Sequence, residues 1–258
     1  MDWIHAVILG IVEGVSEFLP VSSTGHMMIA SHLMGLEPTP FLKTFEIAIQ
    51  LGAIAAVAGM YGRVFLLDRE IVARIMTAFL PTAIIGLVLY KIIKHVLLAH
   101  VWIPVAALGI GGVLLIVFER FLKSHPATVH EIRQIRFTHA FMIGAAQSLA
   151  VIPGVSRSAA TIISGLCCGV GRKTIVEFSF LLAIPTMLAA TVLDLMKTDA
   201  PIAPGQWMIL LTGFAVSWAV AVLAVRWFIR FIGRFDFTPF GVYRIIVALL
   251  MARVLWYH

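Results

Sequence analysis

Glu13-Gly-Val-Ser-Glu17-Phe-Leu-Pro20-Val-Ser-Ser-Thr-Gly-His26 and, half a chain later, Pro153-Gly-Val-Ser-Arg157-Ser-Ala-Ala-Thr161 interrupt a sequence that is otherwise apolar over most of its length. Ionisable, hydroxyl-bearing and Gly/Pro-rich segments are costly at bilayer depth and persist there only where they face protein or a water-filled cavity. Both stretches are therefore expected to line a working site. The surrounding composition sets the class: of 258 residues, 61% are hydrophobic and only 12% charged, with a mean hydropathy of +1.02. That lies outside the soluble range and predicts an all-α polytopic membrane protein forming one integral domain over residues 1–258.

The net charge of +6 does not point to nucleic acid, because Lys and Arg fall in short clusters between apolar runs rather than along one face. Cys167 and Cys168 are neighbours and poorly placed for an unstrained disulfide, so they say nothing of redox compartment. The N-terminus carries no basic leader or small-residue cleavage site, and no removable signal segment is expected.

Six apolar runs approach the roughly 20 residues that a spanning helix needs: Phe45 to Met60, Ile71 to Tyr90, Val101 to Phe118, Thr174 to Leu193, Trp207 to Trp227 and Phe240 to Leu255. Residues 3–35 and 137–170 are instead each split by a proline and a serine-rich turn into halves too short to cross alone. A helical hairpin that dips in and returns on the same side is the economical expectation, with a tilted crossing as the alternative. The chain also repeats: Leu19-Pro-Val-Ser-Ser-Thr matches Ile152-Pro-Gly-Val-Ser-Arg-Ser with one insertion, and Lys43-Thr-Phe-Glu46 matches Lys173-Thr-Ile-Val-Glu177. Halves of about 1–125 and 126–258, each with one re-entrant hairpin and three crossings, predict an inverted repeat with the two hairpins facing each other.

Under that topology twelve of the nineteen Lys and Arg residues lie on one side: Arg63, Arg69, Arg74, Arg120, Lys123, Arg133, Arg136, Arg172, Lys173, Arg226, Arg230 and Arg234. Lys43, Lys91, Lys94, Lys197 and Arg253 lie on the other, while Arg157 and Arg244 fall inside apolar or re-entrant segments. The basic side is expected to be cytoplasmic and the site to open outward. Trp102, Trp207, Trp256 and Tyr257 suit an outer aromatic belt.

Glu13 and Glu17 are one helical turn apart, so two close carboxylates need a cation, a shared proton or an arginine between them. An interfacial pair facing headgroups is the bland reading. Ser22, Ser23 and Thr24 stand where the second half-helix begins, and one hydroxyl is expected to cap it. His26 follows Ser23 by three residues, within reach of a nucleophile and base arrangement in which either residue is the nucleophile. Arg157, between Ser156 and Ser158 and one turn before Thr161, needs an anion; guanidinium, hydroxyls and a half-helix N-terminus describe a phosphate cradle. A purely structural bridge from Arg157 to Glu13 or Glu17 is the alternative. Gln147, Glu46, Gln50 and Glu177 are expected to bond between helices.

Both polar motifs, with Lys43-Thr-Phe-Glu46-Ile-Ala-Ile-Gln50-Leu-Gly, Glu177-Phe-Ser-Phe-Leu-Leu-Ala-Ile-Pro185 and Tyr243-Arg244-Ile-Ile-Val-Ala, closely resemble the undecaprenyl-diphosphate phosphatase family linked to bacitracin resistance. The resemblance spans essentially the whole chain. It implies an enzyme of the bacterial inner membrane, acting on the outer side, that removes one phosphate from a C55 isoprenoid diphosphate and regenerates the carrier lipid for cell-wall polymers. It further implies roles for Glu13, Glu17 and His26, a hydroxyl role for Ser23, diphosphate binding by Arg157 and Thr161, and stimulation by a divalent cation, Mg or Ca.

The expected chemistry is attack by Ser23, activated by His26, on a diphosphate held by Arg157, Ser156, Ser158, Thr161, Ser22 and Thr24. Glu17, with Glu13, either orients His26 or holds the metal; in the variant His26 attacks and Glu17 is the base. The partners are the lipid substrate and the bilayer, with no nucleic acid; a homodimer is compatible with the chain. The rival class is an inverted-repeat transporter or flippase of a phosphorylated lipid or anionic solute. A purely structural membrane subunit is disfavoured by the number of buried polar groups.

Overall fold

The computed structural model describes residues 1–92, 100, 102–122, 127–196 and 203–256. Lys94, Lys123, Lys197, Tyr257 and the first residue of the third predicted span, Val101, lie outside the described residues. Among the described residues the structure is α-helical, with short 3-10 turns and one isolated β-bridge between Val129 and Val170.

The helices are α1 (Trp3–Ser16), α2 (Ser23–Leu33), α3 (Pro40–Leu67), α4 (Arg69–Ile92), α5 (Trp102–Leu122), α6 (Phe137–Gln147), α7 (Arg157–Cys167), α8 (Arg172–Leu195), α9 (Trp207–Ile232) and α10 (Thr238–Trp256). α3, α4, α5, α8, α9 and α10 are long and apolar enough to cross a membrane, and each holds one predicted run, α5 from the second residue of its run onward. The chain is a multi-pass membrane protein. α1, α2, α6 and α7 have 14, 11, 11 and 11 residues. At 1.5 Å per residue each falls short of a hydrocarbon core about 30 Å thick.

Local chemistry sets the starts. Asp2 accepts from the His5 amide, and the Asp2 amide donates back to His5 Nδ1, closing a capping box. Thr39 caps α3 through the Leu42 amide with Pro40 at the first helical position. Asp68 caps α4 through the Ile71 amide at 3.1 Å.

α3 lies against α8 and α9, and their buried faces, with Phe18 and Leu19 of the first turn, form the main core. α1 packs on α9, α6 on α4, and α5 on α10. These contacts are close because glycine lies at them: a Cβ on Gly14 would sit 2.7 Å from the Ser217 carbonyl oxygen, and one on Gly112 would sit 2.7 Å from that of Gly241. The framework thus presses the ends of two short helix pairs, α1 with α2 and α6 with α7, into its interior.

Candidate active site

The two interrupted segments meet at a cavity of about 1240 Å³. Glu17, Ser22, Ser23 and Thr24 contribute from the first turn, Gln147, Ser156 and Arg157 from the second, and Lys43, Glu46 and Gln50 from α3. Apolar residues of α4 and α8, among them Phe79, Leu87, Met187 and Leu193, complete its wall. One polar end and an apolar flank suit a charged head on a hydrocarbon tail.

Glu17, 6% exposed, is the C-cap of α1, its amide donating to the Glu13 carbonyl at 3.0 Å. The Ser23 hydroxyl donates to Glu17 Oε2 at 2.5 Å. Arg157 Nη2 reaches Glu17 Oε1 at 3.4 Å, so one carboxylate holds a hydroxyl and a guanidinium on its two oxygens. Arg157 Nη1 donates to the Ser179 carbonyl at 3.0 Å, which braces the guanidinium from α8. Ser22 brings the hydroxyl to this place through a backbone with φ of 72°, a left-handed conformation that a side chain rarely adopts and that concentrates at functional turns.

Other predicted residues serve the frame. Ser156 caps α7 through the Ala159 amide while still lining the cavity. Ser22, in the corresponding position before α2, makes no side-chain cap. Ser158 is fully buried and donates to the Phe18 carbonyl at 2.9 Å, tying the second turn to the first. The Thr161 hydroxyl is engaged with Gln147 Oε1 and the Arg157 carbonyl and does not line the cavity.

His26 does not touch the Ser23 hydroxyl. Its Nδ1 lies 2.8 Å from the Ser22 carbonyl and its Nε2 2.8 Å from the Tyr243 hydroxyl, with the two rings stacked at 5.5 Å. A carbonyl only accepts, so Nδ1 carries the proton, and when the ring is neutral Nε2 accepts from Tyr243. The expectation that His26 activates Ser23 therefore meets a geometry in which both ring nitrogens are committed elsewhere, and the base in contact with Ser23 is Glu17.

Glu13 is 3% exposed, one turn before Glu17, and its Oε1 has no partner. Among the described residues there is no group of three or more His, Cys, Asp or Glu side chains placed to hold a metal ion. Magnesium needs fewer protein ligands, since it is held by one or two carboxylates together with substrate phosphates. The unsatisfied Glu13 oxygen fits that use.

Gln147 bonds between helices as the sequence suggested, but to partners that the sequence did not name. Gln147, completely buried, donates to Thr82 and Thr186 and accepts from Thr161. Thr82 and Thr186 each follow a proline inside a helix, Pro81 and Pro185. This repeated Pro-Thr step within an apolar span was the available signal. Ser179 and Tyr243 lie within two of the family motifs, but nothing in their spacing assigns them a partner.

Comparison with known proteins gives one consistent result. A family model described as "Bacitracin resistance protein BacA" matches residues 6–250. The chain is 47% identical over 251 residues to "Undecaprenyl-diphosphatase" of Aquifex aeolicus, covering 97% of each protein. It is 47% identical over 257 residues to the protein of that name from Sulfurihydrogenibium sp., covering 100% of each. With that of Persephonella marina the identity is 49% over 250 residues, 97% of this chain and 98% of the relative.

Proposed function

This chain belongs to the family of the bacitracin resistance protein BacA, and on that premise we propose that its cavity cleaves a membrane-anchored diphosphate. It is an undecaprenyl-diphosphatase: it hydrolyses undecaprenyl diphosphate to undecaprenyl phosphate and inorganic phosphate, recycling the lipid carrier of cell-wall synthesis. The observation that carries this reading to individual residues is the Glu17 carboxylate, with Ser23 on one oxygen and Arg157 on the other.

The diphosphate enters with its head at Arg157, Ser156 and the free amides of the α7 N-terminus, while its tail stays along the apolar wall. Thr24 and Ser22 offer further hydroxyls from the facing turn. Arg157 exchanges Glu17 for phosphate oxygens, which leaves Glu17 the stronger base. Ser23 Oγ attacks the terminal phosphorus, its proton passes to Glu17, and the anhydride P–O bond breaks to release undecaprenyl phosphate. Glu17 passes that proton to the leaving oxygen of undecaprenyl phosphate; water then attacks the serine phosphate and gives a proton to Glu17, which hands it to Ser23 Oγ as the P–O bond breaks and inorganic phosphate leaves. Arg157 stabilises the charge of both transfers. His26, held by Tyr243 and the Ser22 carbonyl, keeps the first turn of α2 in place. Glu13, with Glu17, would hold a divalent cation, which supplies positive charge to the phosphate oxygens when bound.

The protein sits in the inner membrane with the cavity open to the outer side. Its two helical hairpins are re-entrant and its halves form an inverted repeat. Exchanging α1–α5 for α6–α10 turns the α1–α9 contact into α6–α4 and the α3–α9 contact into α8–α4, both present, and leaves α5–α10 unchanged. A transporter would have no use for a hydroxyl held on a carboxylate beside an arginine.

The test is phosphate release from C55 diphosphate by the purified protein, followed by rapid quench with radiolabelled substrate. A phosphoserine at Ser23 is expected. Label on His26, or undiminished activity in Ser23→Ala, would overturn the assignment.

A further inference from the structure

Arg244 is the largest of the fully buried side chains, 1% exposed in the middle of α10, and among the described residues it has no carboxylate partner. A guanidinium in such surroundings needs acceptors for its five N–H groups. Four backbone carbonyls take four of the five. Nη1 donates to Pro20 at 3.1 Å and Nη2 to Gly154 at 3.1 Å; Nη2 also donates to Ala107 at 3.2 Å and Nε to Leu108 at 3.3 Å.

Two of those carbonyls belong to the turns that carry the reactive groups. Pro20 stands midway between Glu17 and Ser23, and Gly154 stands three residues before Arg157. Ala107 and Leu108 belong to α5, which packs along α10. One rigid fork therefore fastens the first turn and the second turn to the same point of the α5–α10 pair. The Pro20 and Gly154 carbonyls lie outside regular helix and accept no backbone amide, and leaving them bare at this depth would be costly. Gly154 reaches the fork with φ of +89° and with its Cα packed so closely on Pro104 that a Cβ would lie 2.6 Å from the Pro104 Cα.

We propose that Arg244 is the positioning residue of the active site, a clamp whose guanidinium sets the separation of the two turns and so the alignment of Ser23 and Glu17 with Arg157. It touches neither substrate nor reacting atoms. The proposal deepens the phosphatase reading, because the alignment matters only if both turns act on one diphosphate. Lysine cannot replace it: an ammonium offers three donors from one point, where the four carbonyls need a fork.

Two variants reach the clamp by different routes. Arg244→Lys keeps the charge and loses the fork. Gly111→Ala keeps Arg244 but builds a methyl 2.9 Å from its Cζ and closer still to Nη2, displacing the guanidinium. Amide hydrogen exchange on the protein in detergent, with no substrate present, is expected to rise in residues 17–23 and 152–158 together in both variants, while α3 and α9 stay protected. Turnover of C55 diphosphate is expected to fall by about tenfold or more with KM changed far less, since misplacement of about 1 Å can cost on the order of a hundredfold.

Unchanged exchange in the turns, or a rise in only one of them, would overturn the clamp. So would loss of protection throughout α3 and α9, which would make Arg244 a general scaffold residue, or full turnover with both turns loosened. The exchange measurement needs no reaction, so it decides the clamp even if the wild-type protein releases no phosphate, a result that would instead defeat the phosphatase reading.

Discussion

The hydroxyl of Ser23 has one basic contact, and it is a carboxylate rather than an imidazole. That choice separates two variants. Glu17→Gln keeps the shape of the site but removes both the proton acceptor and the charge opposite Arg157, so phosphate release should fall by roughly 10²–10⁴-fold, the usual weight of a general base. Tyr243→Phe removes only the hydroxyl that holds His26 Nε2, and its loss should stay within about tenfold, the scale of one neutral hydrogen bond. Initial rates at saturating C55 diphosphate, compared for the two proteins, check the pair. A Tyr243→Phe defect equal to that of Glu17→Gln would return His26 to the centre of the chemistry. Burial explains why the sequence singled out these residues but not their wiring. Glu13, Glu17, Ser23, His26 and Arg157 are conspicuous because polar groups are rare in this chain, whereas the partners of Ser23 and His26 depend on the rotation of α2 about its axis. That rotation is set at Ser22, whose left-handed backbone no composition argument foresees.

Helix packing makes the same site depend on residues with no chemistry. α1 presents Gly10 and Gly14, four apart, to α9, and the Ser217 and Gly213 carbonyls occupy the space that side chains would fill. Gly14→Ala would put its Cβ 2.7 Å from the Ser217 oxygen and 2.9 Å from the Val220 Cβ, and backbone gives way poorly. A destabilisation of about 1–3 kcal/mol is expected, read as a lower midpoint of thermal unfolding in detergent. Activity should fall as well, because α1 carries Glu13 and Glu17. Gly59→Ala is the control: a Cβ there meets nothing within 4 Å, and the midpoint should hold or rise. The six long helices were legible because hydrophobic length is a one-dimensional property; α3 alone extends well beyond its apolar run, continuing from Pro40 to Leu67 where Thr39 caps it and Asp68 ends it. Which helices touch was not legible. Glycine marks the α1–α9 and α5–α10 approaches, yet Gly59, Gly62 and Gly86 meet nothing, so glycine by itself does not tell a contact from open space.

Across the whole molecule, the end of the bundle remote from the cavity is joined by charge. Asp68, between α3 and α4, caps α4 and binds Arg133, which lies ahead of α6, at 2.7 Å. The Ile71 amide and then Arg133 hold its carboxyl below the usual range. A carboxylate with a lowered folded pKa contributes stability that is complete above its unfolded value near 4 and is lost as pH falls through the folded one. Thermal midpoints should therefore fall below about pH 4, and Asp68→Asn should start lower and lose less over that interval. The same end carries the excess of Arg that the positive-inside rule assigns to the cytoplasm, and the proposed outward opening of the cavity rests on that rule. With Cys167 and Cys168 replaced by Ser, two single cysteines report that direction: Glu37→Cys in the exposed approach to α3, next to the cavity residues Pro38 and Thr39, and Glu131→Cys in the exposed segment before α6. A membrane-impermeant maleimide applied to spheroplasts should label the Glu37→Cys protein at once and the Glu131→Cys protein only after permeabilisation. An outward cavity needs this order, because the diphosphate would otherwise have to be supplied from the cytoplasmic leaflet; the reverse order would turn the molecule over and place Ser23 and Arg157 in contact with a cytoplasmic pool of lipid.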